Sequence, residues 1–228
     1  MKFSTACCLC PRLANFLGDV RQMHPDYYAR PVPSFGDAQA RLLIVGLAPG
    51  MHGANRTGRP FTGDFAGKLL YSTLYQFGFA SQSEPLNAVG HADTELILSD
   101  CRVTNAVRCL PPKNKPEPVE VRQCNQYLVT ELASLPLGAV VLALGAIAHF
   151  AVLRALDLKI KDYKFSHGMR HALPNGIMLY DSYHCSRYNT QTKRLTETMF
   201  HAIFSAIALY LHSRNLNKKL DPNNRIRS

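Results

Sequence analysis

Two glycine- and polar-rich segments, each issuing from a short apolar run, constrain this chain more than any other feature. GLAPGMHGANRTGRPFTGD (46–64) follows RLLIV (41–45), and HCSRYNTQT (184–192) follows IMLYDSY (177–183). Apolar runs of this length, bounded by glycine and then by helical periodicity, read as buried parallel strands. In an open α/β sheet ligands bind where loops leave the carboxyl ends of the strands. Both segments leave that edge, so they are expected to converge on one site.

Further runs at 102–107 and 139–145 bring the expected strands to four. Helical stripes alternate with them: 12–20, the stretch after Asp64 with Leu70, Leu74 and Phe77, then 118–134, 146–156, and a long final helix. The stripe of that helix is Leu195, Met199, Ile203, Ile207 and Tyr210, or neighbours one step away. A short helix is expected around 94–98. The pattern predicts an α/β fold, a three-layer α/β/α sandwich around a four-stranded parallel sheet. Residues 1–213 read as a single domain and 214–228 as a basic, mobile tail.

The chain carries 26 Lys and Arg against 16 Asp and Glu, a formal charge of +10, which fits a polyanionic partner. No run approaches the roughly 20 apolar residues of a membrane span. The apolar stretch near the N-terminus is broken by Pro11 and Arg12 and makes a poor signal peptide. A soluble, cytoplasmic, nucleoid-associated monomer without a membrane partner is expected.

An odd count of seven cysteines argues against a disulfide framework. Cys7 and Cys10 form a C-x2-C pair that, with Cys109 and Cys124, can complete tetrahedral coordination. Spacing alone does not separate zinc from an iron–sulfur cluster. Cys8, Cys101 and Cys185 read as spare or strand-adjacent thiols.

Taken together, CCLCPRL, GLAPGMHGANRTGRPFTGD, TNAVRCLPPKNKP, Cys124 and HCSRYNTQTKRLT resemble the family 5 (type B) uracil-DNA glycosylases. The matches run in the family's order from residue 7 to about residue 196. The resemblance implies a structural [4Fe–4S] cluster on Cys7, Cys10, Cys109 and Cys124. It also implies excision of uracil, and of other deaminated bases such as hypoxanthine, from DNA, leaving an abasic site. One departure is visible: the second motif of the family reads His-Pro-Ser, and here Cys185 replaces the proline, which is expected to loosen the loop.

A glycosylase extrudes its target base, then stabilises positive charge on the sugar and negative charge on the leaving base. His184 is the candidate donor to uracil O2. Asp64 is the candidate anion, orienting water or offsetting charge on the sugar, although an Asp before a helix is also an ordinary N-cap. Asn105 can pair with O4 and N3–H of uracil, and Phe61 can stack on the flipped base. Gly46, Ala48 and Gly50 keep the first strand exit narrow, and Asn55 and Arg56 are further site candidates. Ser186, Arg187, Tyr188 and Asn189 are expected to enter the DNA, Tyr188 as a wedge, while Lys113 and Lys115 meet phosphates. Two other readings compete: a non-catalytic, zinc-stabilised DNA-binding module, and a nucleotide-binding α/β enzyme. The second is weakened by the missing GxGxxG and Walker lysine.

Overall fold

The structure is a computed structural model that describes residues 3–220. Four inner strands form a parallel array: β2 (Leu42–Gly46), β3 (Cys101–Asn105), β4 (Val140–Leu144) and β6 (Met178–Ser182). Every residue of β2 and β4 is buried, as expected for strands covered on both faces, and this is why they read as unbroken apolar runs.

The sheet is larger than the expected four strands. It has six, in the order β1-β3-β2-β4-β6-β5, and it is mixed. Its edges are β1 (Phe35–Gly36), antiparallel to β3, and β5 (Arg170–Ala172), antiparallel to β6. Segments of two and three residues are too short to show a period of two, so no alternation betrays them.

Helices α3 (Phe65–Gln76) and α7 (Glu197–Leu220) cover one face of the sheet, where Leu70, Leu74, Phe200, Phe204 and Ile207 pack on Ile44 and Leu142. On the other face α4 (Pro118–Ala133) and α5 (Ala146–Ala155) bring Leu128, Leu132, Ala148 and Val152 against Leu43 and Val141. The stripe of α7 therefore runs through Phe200, Ile203, Phe204, Ile207 and Leu211, with Met199 and Tyr210 only partly buried. A third cluster packs α1 (Pro11–Met23) against Val107, Leu110 and Tyr127. Two short helices, α2 (Ala54–Thr57) and α6 (Arg187–Gln191), lie inside the two sequence motifs.

Three boundaries differ from expectation. No helix forms at 94–98, where buried Leu96 and Leu98 flank exposed Ile97. That is a period of two, and Leu98 bridges Ala80 in extended pairing. β3 stops at Asn105, yet the amides of Ala106 and Val107 donate to Gly46 and Leu47 carbonyls at 2.9 and 3.0 Å, stitching the two strand exits together. Finally, α7 passes through residue 214, where the tail was expected to begin; residues 221–228 of that tail lie outside the described residues.

The topology fixes where a ligand can sit. After β2 the chain adds β3 on one side, then crosses to place β4 on the other. The carboxyl ends of β2 and β4 thus flank the switch point, where diverging loops open a crevice.

Candidate active site

A cavity of about 720 Å³ opens at this switch point, within the size range of small-molecule sites. The β2 exit lines it with Leu47, Ala48 and Gly50, and the β4 exit with Gly145, Ala146 and Ile147. Asp64 from the first motif and His184, Ser186 and Arg187 from the second complete the wall. The two motifs therefore do meet.

Asp64 serves the fold and the cavity at once. As N-cap of α3 its Oδ1 accepts a hydrogen bond from the Gly67 amide at 2.9 Å. Its Oδ2 takes no hydrogen bond from the described residues and lies against Gly50 and Gly53. A Cβ on those glycines would stand 3.3 and 2.4 Å from that oxygen. Gly50 and Gly53 are thus explained by clearance around a carboxylate.

His184 follows β6, and its ring lies nearly parallel to that of Phe61, with centroids 5.8 Å apart and 24° between planes. Burial lowers the pKa of its imidazole below the usual value, an effect that Asp64 partly offsets, which favours the neutral ring. Asn189 Nδ2 donates to the His184 carbonyl at 2.8 Å and fixes the loop. Cys185, at the position of the family's proline, is fully buried against α3, its Sγ facing the Ala66 carbonyl at 3.5 Å. Burial anchors the loop there in place of a locked φ.

Phe61 and Asn105 stand one layer deeper, and Gly46 is what lets them approach. A Cβ on Gly46 would lie 2.4 Å from Asn105 Oδ1 and 2.5 Å from the tip of the Phe61 ring. Phe61 adopts a left-handed φ of 54°, held by the Tyr71 hydroxyl, which donates to the Pro60 carbonyl at 3.0 Å. Asn105 is 4% exposed, and its side-chain amide takes no hydrogen bond from the described residues. An unengaged amide at such depth suits an absent polar ligand. Gly46→Ala is expected to displace both side chains, lowering activity by about 100-fold while the α/β fold persists, as read by excision kinetics and circular dichroism.

The other expected residues divide. Tyr188 is 71% exposed on α6, and Arg187 lies over the exposed Phe65 ring, its guanidinium carbon 5.6 Å from the centroid. Lys113 and Lys115 are exposed on either side of Asn114, which lines the cavity. Ser186 lines the cavity and also caps α6 through the Asn189 amide. Asn55, however, is fully buried under the first motif and does not reach the cavity. Arg56 is committed to the carbonyls of His52 and Gly90 at 3.0 Å each. Sequence reasoning missed His52, Asn114 and the β4 exit. The signal for the last was present in Gly145, which takes a φ of 98° between strand and helix. His52 stood unassigned in the first motif; its Nδ1 pairs with the Tyr27 hydroxyl at 2.8 Å.

Cys7, Cys10, Cys109 and Cys124 line one small apolar cavity between α1, α4 and the loop after β3. All four are free thiols. Burial raises the pKa of each of Cys10, Cys109 and Cys124, the last to about 11, and the neighbouring thiols push Cys109 further. A cationic centre reverses that cost. The Arg108 amide and the Tyr127 hydroxyl already donate to Cys124 and Cys7 sulfurs at 3.3 Å each. Four thiols lining one apolar cavity are a donor set that zinc and an iron–sulfur cluster both accept. The residues present fit the group.

Comparison with known proteins agrees with this geometry. A sequence model described as the Uracil DNA glycosylase superfamily matches residues 33–208. A type-5 uracil-DNA glycosylase of Thermus thermophilus is 49% identical over 201 residues, covering 86% of this chain and 90% of its relative. One from Mycobacterium leprae is 41% identical, covering 88% and 89% of the two chains. A type-4 uracil-DNA glycosylase of Archaeoglobus fulgidus is 33% identical over a shorter match, 56% of this chain and 55% of its own.

Proposed function

The chain belongs to the uracil-DNA glycosylase superfamily, and on that premise we propose that it hydrolytically excises uracil from DNA with Asp64, His184, Asn105 and Phe61. The observation that carries the assignment of roles is the convergence of these four side chains at the switch point of the sheet.

The extruded nucleotide enters the cavity, and its base passes beside Phe61 to Asn105. The amide N–H of Asn105 donates to uracil O4, and its oxygen accepts from N3–H. Cytosine offers the reverse pattern and is refused. The bond between C1′ and N1 breaks with its electron pair leaving on the base. His184, neutral and fixed by Asn189, donates to O2, where that charge gathers. Water adds its oxygen to C1′, and its proton goes to Asp64 Oδ2, the oxygen left over from the helix cap.

The Watson–Crick edge of hypoxanthine repeats the acceptor and N–H donor of uracil, so the same amide reads it. Ala48, Gly50, Gly145 and Ala146 keep the cavity walls low and leave room for a purine. Both bases are therefore substrates in this reading, and the reaction leaves an abasic site. Lys113, Lys115 and Arg187 neutralise phosphates around the opening, and Tyr188 fills the space left in the stack.

Cys7, Cys10, Cys109 and Cys124 would hold a [4Fe–4S] cluster, which would supply structural cross-linking; no step of the hydrolysis requires electrons. These cysteines tie α1 to α4 and to the loop that carries Lys113 and Lys115. One chain, acting as a single domain, completes the site. Family membership counts against both the non-catalytic module and the nucleotide-binding alternative.

The test uses labelled oligonucleotides carrying uracil, hypoxanthine or cytosine, with alkaline cleavage of abasic sites. Wild type is expected to release the first two and spare cytosine. His184→Ala is expected to lose about 10²–10³ in rate on uracil, as for removal of a donor at developing negative charge, and less on hypoxanthine, which has no O2. Asn105→Ala is expected to lose discrimination as well as rate. Equal activity of either variant and wild type contradicts the assigned role.

A further inference from the structure

Away from the cavity, three polar side chains from three elements meet in a dry pocket that the glycosylase mechanism does not use. His149 on α5 and Asp181 on β6 are fully buried, and His171 on β5 has a side chain 13% exposed. We infer that His149, His171 and Asp181 form a binding site for one divalent transition-metal ion of the zinc class. Their ligand atoms all lie within 4.8 Å of one another.

The hydrogen-bond pattern points to a ligand. His149 Nε2 stands 2.9 Å from the Tyr163 carbonyl, which can only accept, so Nε2 carries the proton. In the neutral ring this leaves the Nδ1 lone pair facing Asp181 Oδ1 at 2.7 Å. Two acceptors that close need either a shared proton or a metal cation between them. The other half of the carboxylate has the same gap. Asp181 Oδ2 and His171 Nε2 are 3.4 Å apart, yet both are buried and neither makes a hydrogen bond. Buried polar atoms without partners carry a cost that a bound ion removes.

Two imidazoles and a carboxylate are a borderline donor set that suits zinc, with water as a fourth ligand. Tetrahedral ligand atoms on zinc stand about 3.3 Å apart, so shifts of under about 1 Å close the set. The Tyr163 carbonyl is the outer partner that fixes the ligating tautomer of a histidine. Phe150, Phe165 and Tyr163 stand edge-on to the two imidazoles and hold their orientation. The His171 edge, on a three-residue outer strand, gives an ion its way in. Bound there, the ion pins α5 and β5 to β6, whose Asp181 backbone also exchanges hydrogen bonds with Gly168 and Met169 at 2.9 Å. The strand so pinned is the one that leads into His184.

The iron-loaded protein is dialysed against chelator, then titrated with zinc by calorimetry and with cobalt(II) by absorbance, with iron measured throughout. One zinc ion per chain is expected, with iron content unchanged, a rise in Tm, and a cobalt spectrum without sulfur charge transfer. His171→Ala, at the pocket's accessible edge, is expected to weaken zinc binding roughly 100-fold or more and abolish the rise in Tm; Asp181→Asn is expected to do the same if it folds. Absence of binding to wild type, equal binding by His171→Ala, or a sulfur–cobalt band overturns the proposal. In the first case a proton alone bridges His149 and Asp181.

Discussion

Asp64→Asn is expected to slow uracil release by about 10³-fold while leaving Tm unchanged. Asparagine is as good an N-cap as aspartate, so its side-chain oxygen still takes the Gly67 amide. What it loses is the negative Oδ2 beside Gly50 and Gly53, the atom proposed to take the proton from water. Asp64→Ala removes both functions. It is expected to show the same kinetic loss plus ~1 kcal/mol of stability, a fall in Tm of about 2–4 °C for a chain of this size. Single-turnover excision and thermal melts of the pair separate the two roles. Full activity in Asp64→Asn would reduce the residue to a cap.

Cys109→Ala is expected to have the other large effect, and of a different kind. The sulfur sits where the loop after β3 meets α1 and α4. Its loss would remove one corner of the proposed cluster and free the loop carrying Lys113 and Lys115. DNA affinity is expected to fall roughly 10- to 100-fold, and the slope of log affinity against log salt to become shallower by about 2, one unit per lysine. The excision rate at saturating DNA is expected to change little, because Asp64 and His184 are seated on α3 and β6, away from the cysteines. Filter binding at several salt concentrations, alongside iron content, checks this. A colourless variant that binds DNA like wild type contradicts a structural cluster.

The readable part of the fold was the part governed by period and burial. The inner strands were legible because a fully covered parallel strand is apolar throughout, as LLIV and VVLAL are. The edge strands were not, since Phe35–Gly36 and Arg170–Ala172 are too short to show a period of two. At 94–98 the period was misjudged: Leu96 and Leu98 alternate with Ile97, and the Asp93 carboxylate takes the Glu95 amide at 2.8 Å in a turn that leads into extended chain.

The site divided along similar lines. Asp64, Asn105 and His184 were findable because each ends or follows an element at the ligand-binding edge. Asn55 is fully buried and does not line the cavity that His52, Gly63 and Asp64 of the same motif reach. Asn114 and Ile147 carry no motif; only the folded chain brings them to the opening. The pocket of His149, His171 and Asp181 was equally invisible, since its members are spread over a helix and two strands.

A crystal structure of Asp64→Asn bound to a uracil-containing duplex tests the whole account most directly. The uracil is predicted to lie outside the helix, beside Phe61, with its O4 and N3–H on the Asn105 amide and its O2 at His184. A uracil still stacked in the duplex, or held at a face of the protein remote from these four residues, would contradict it.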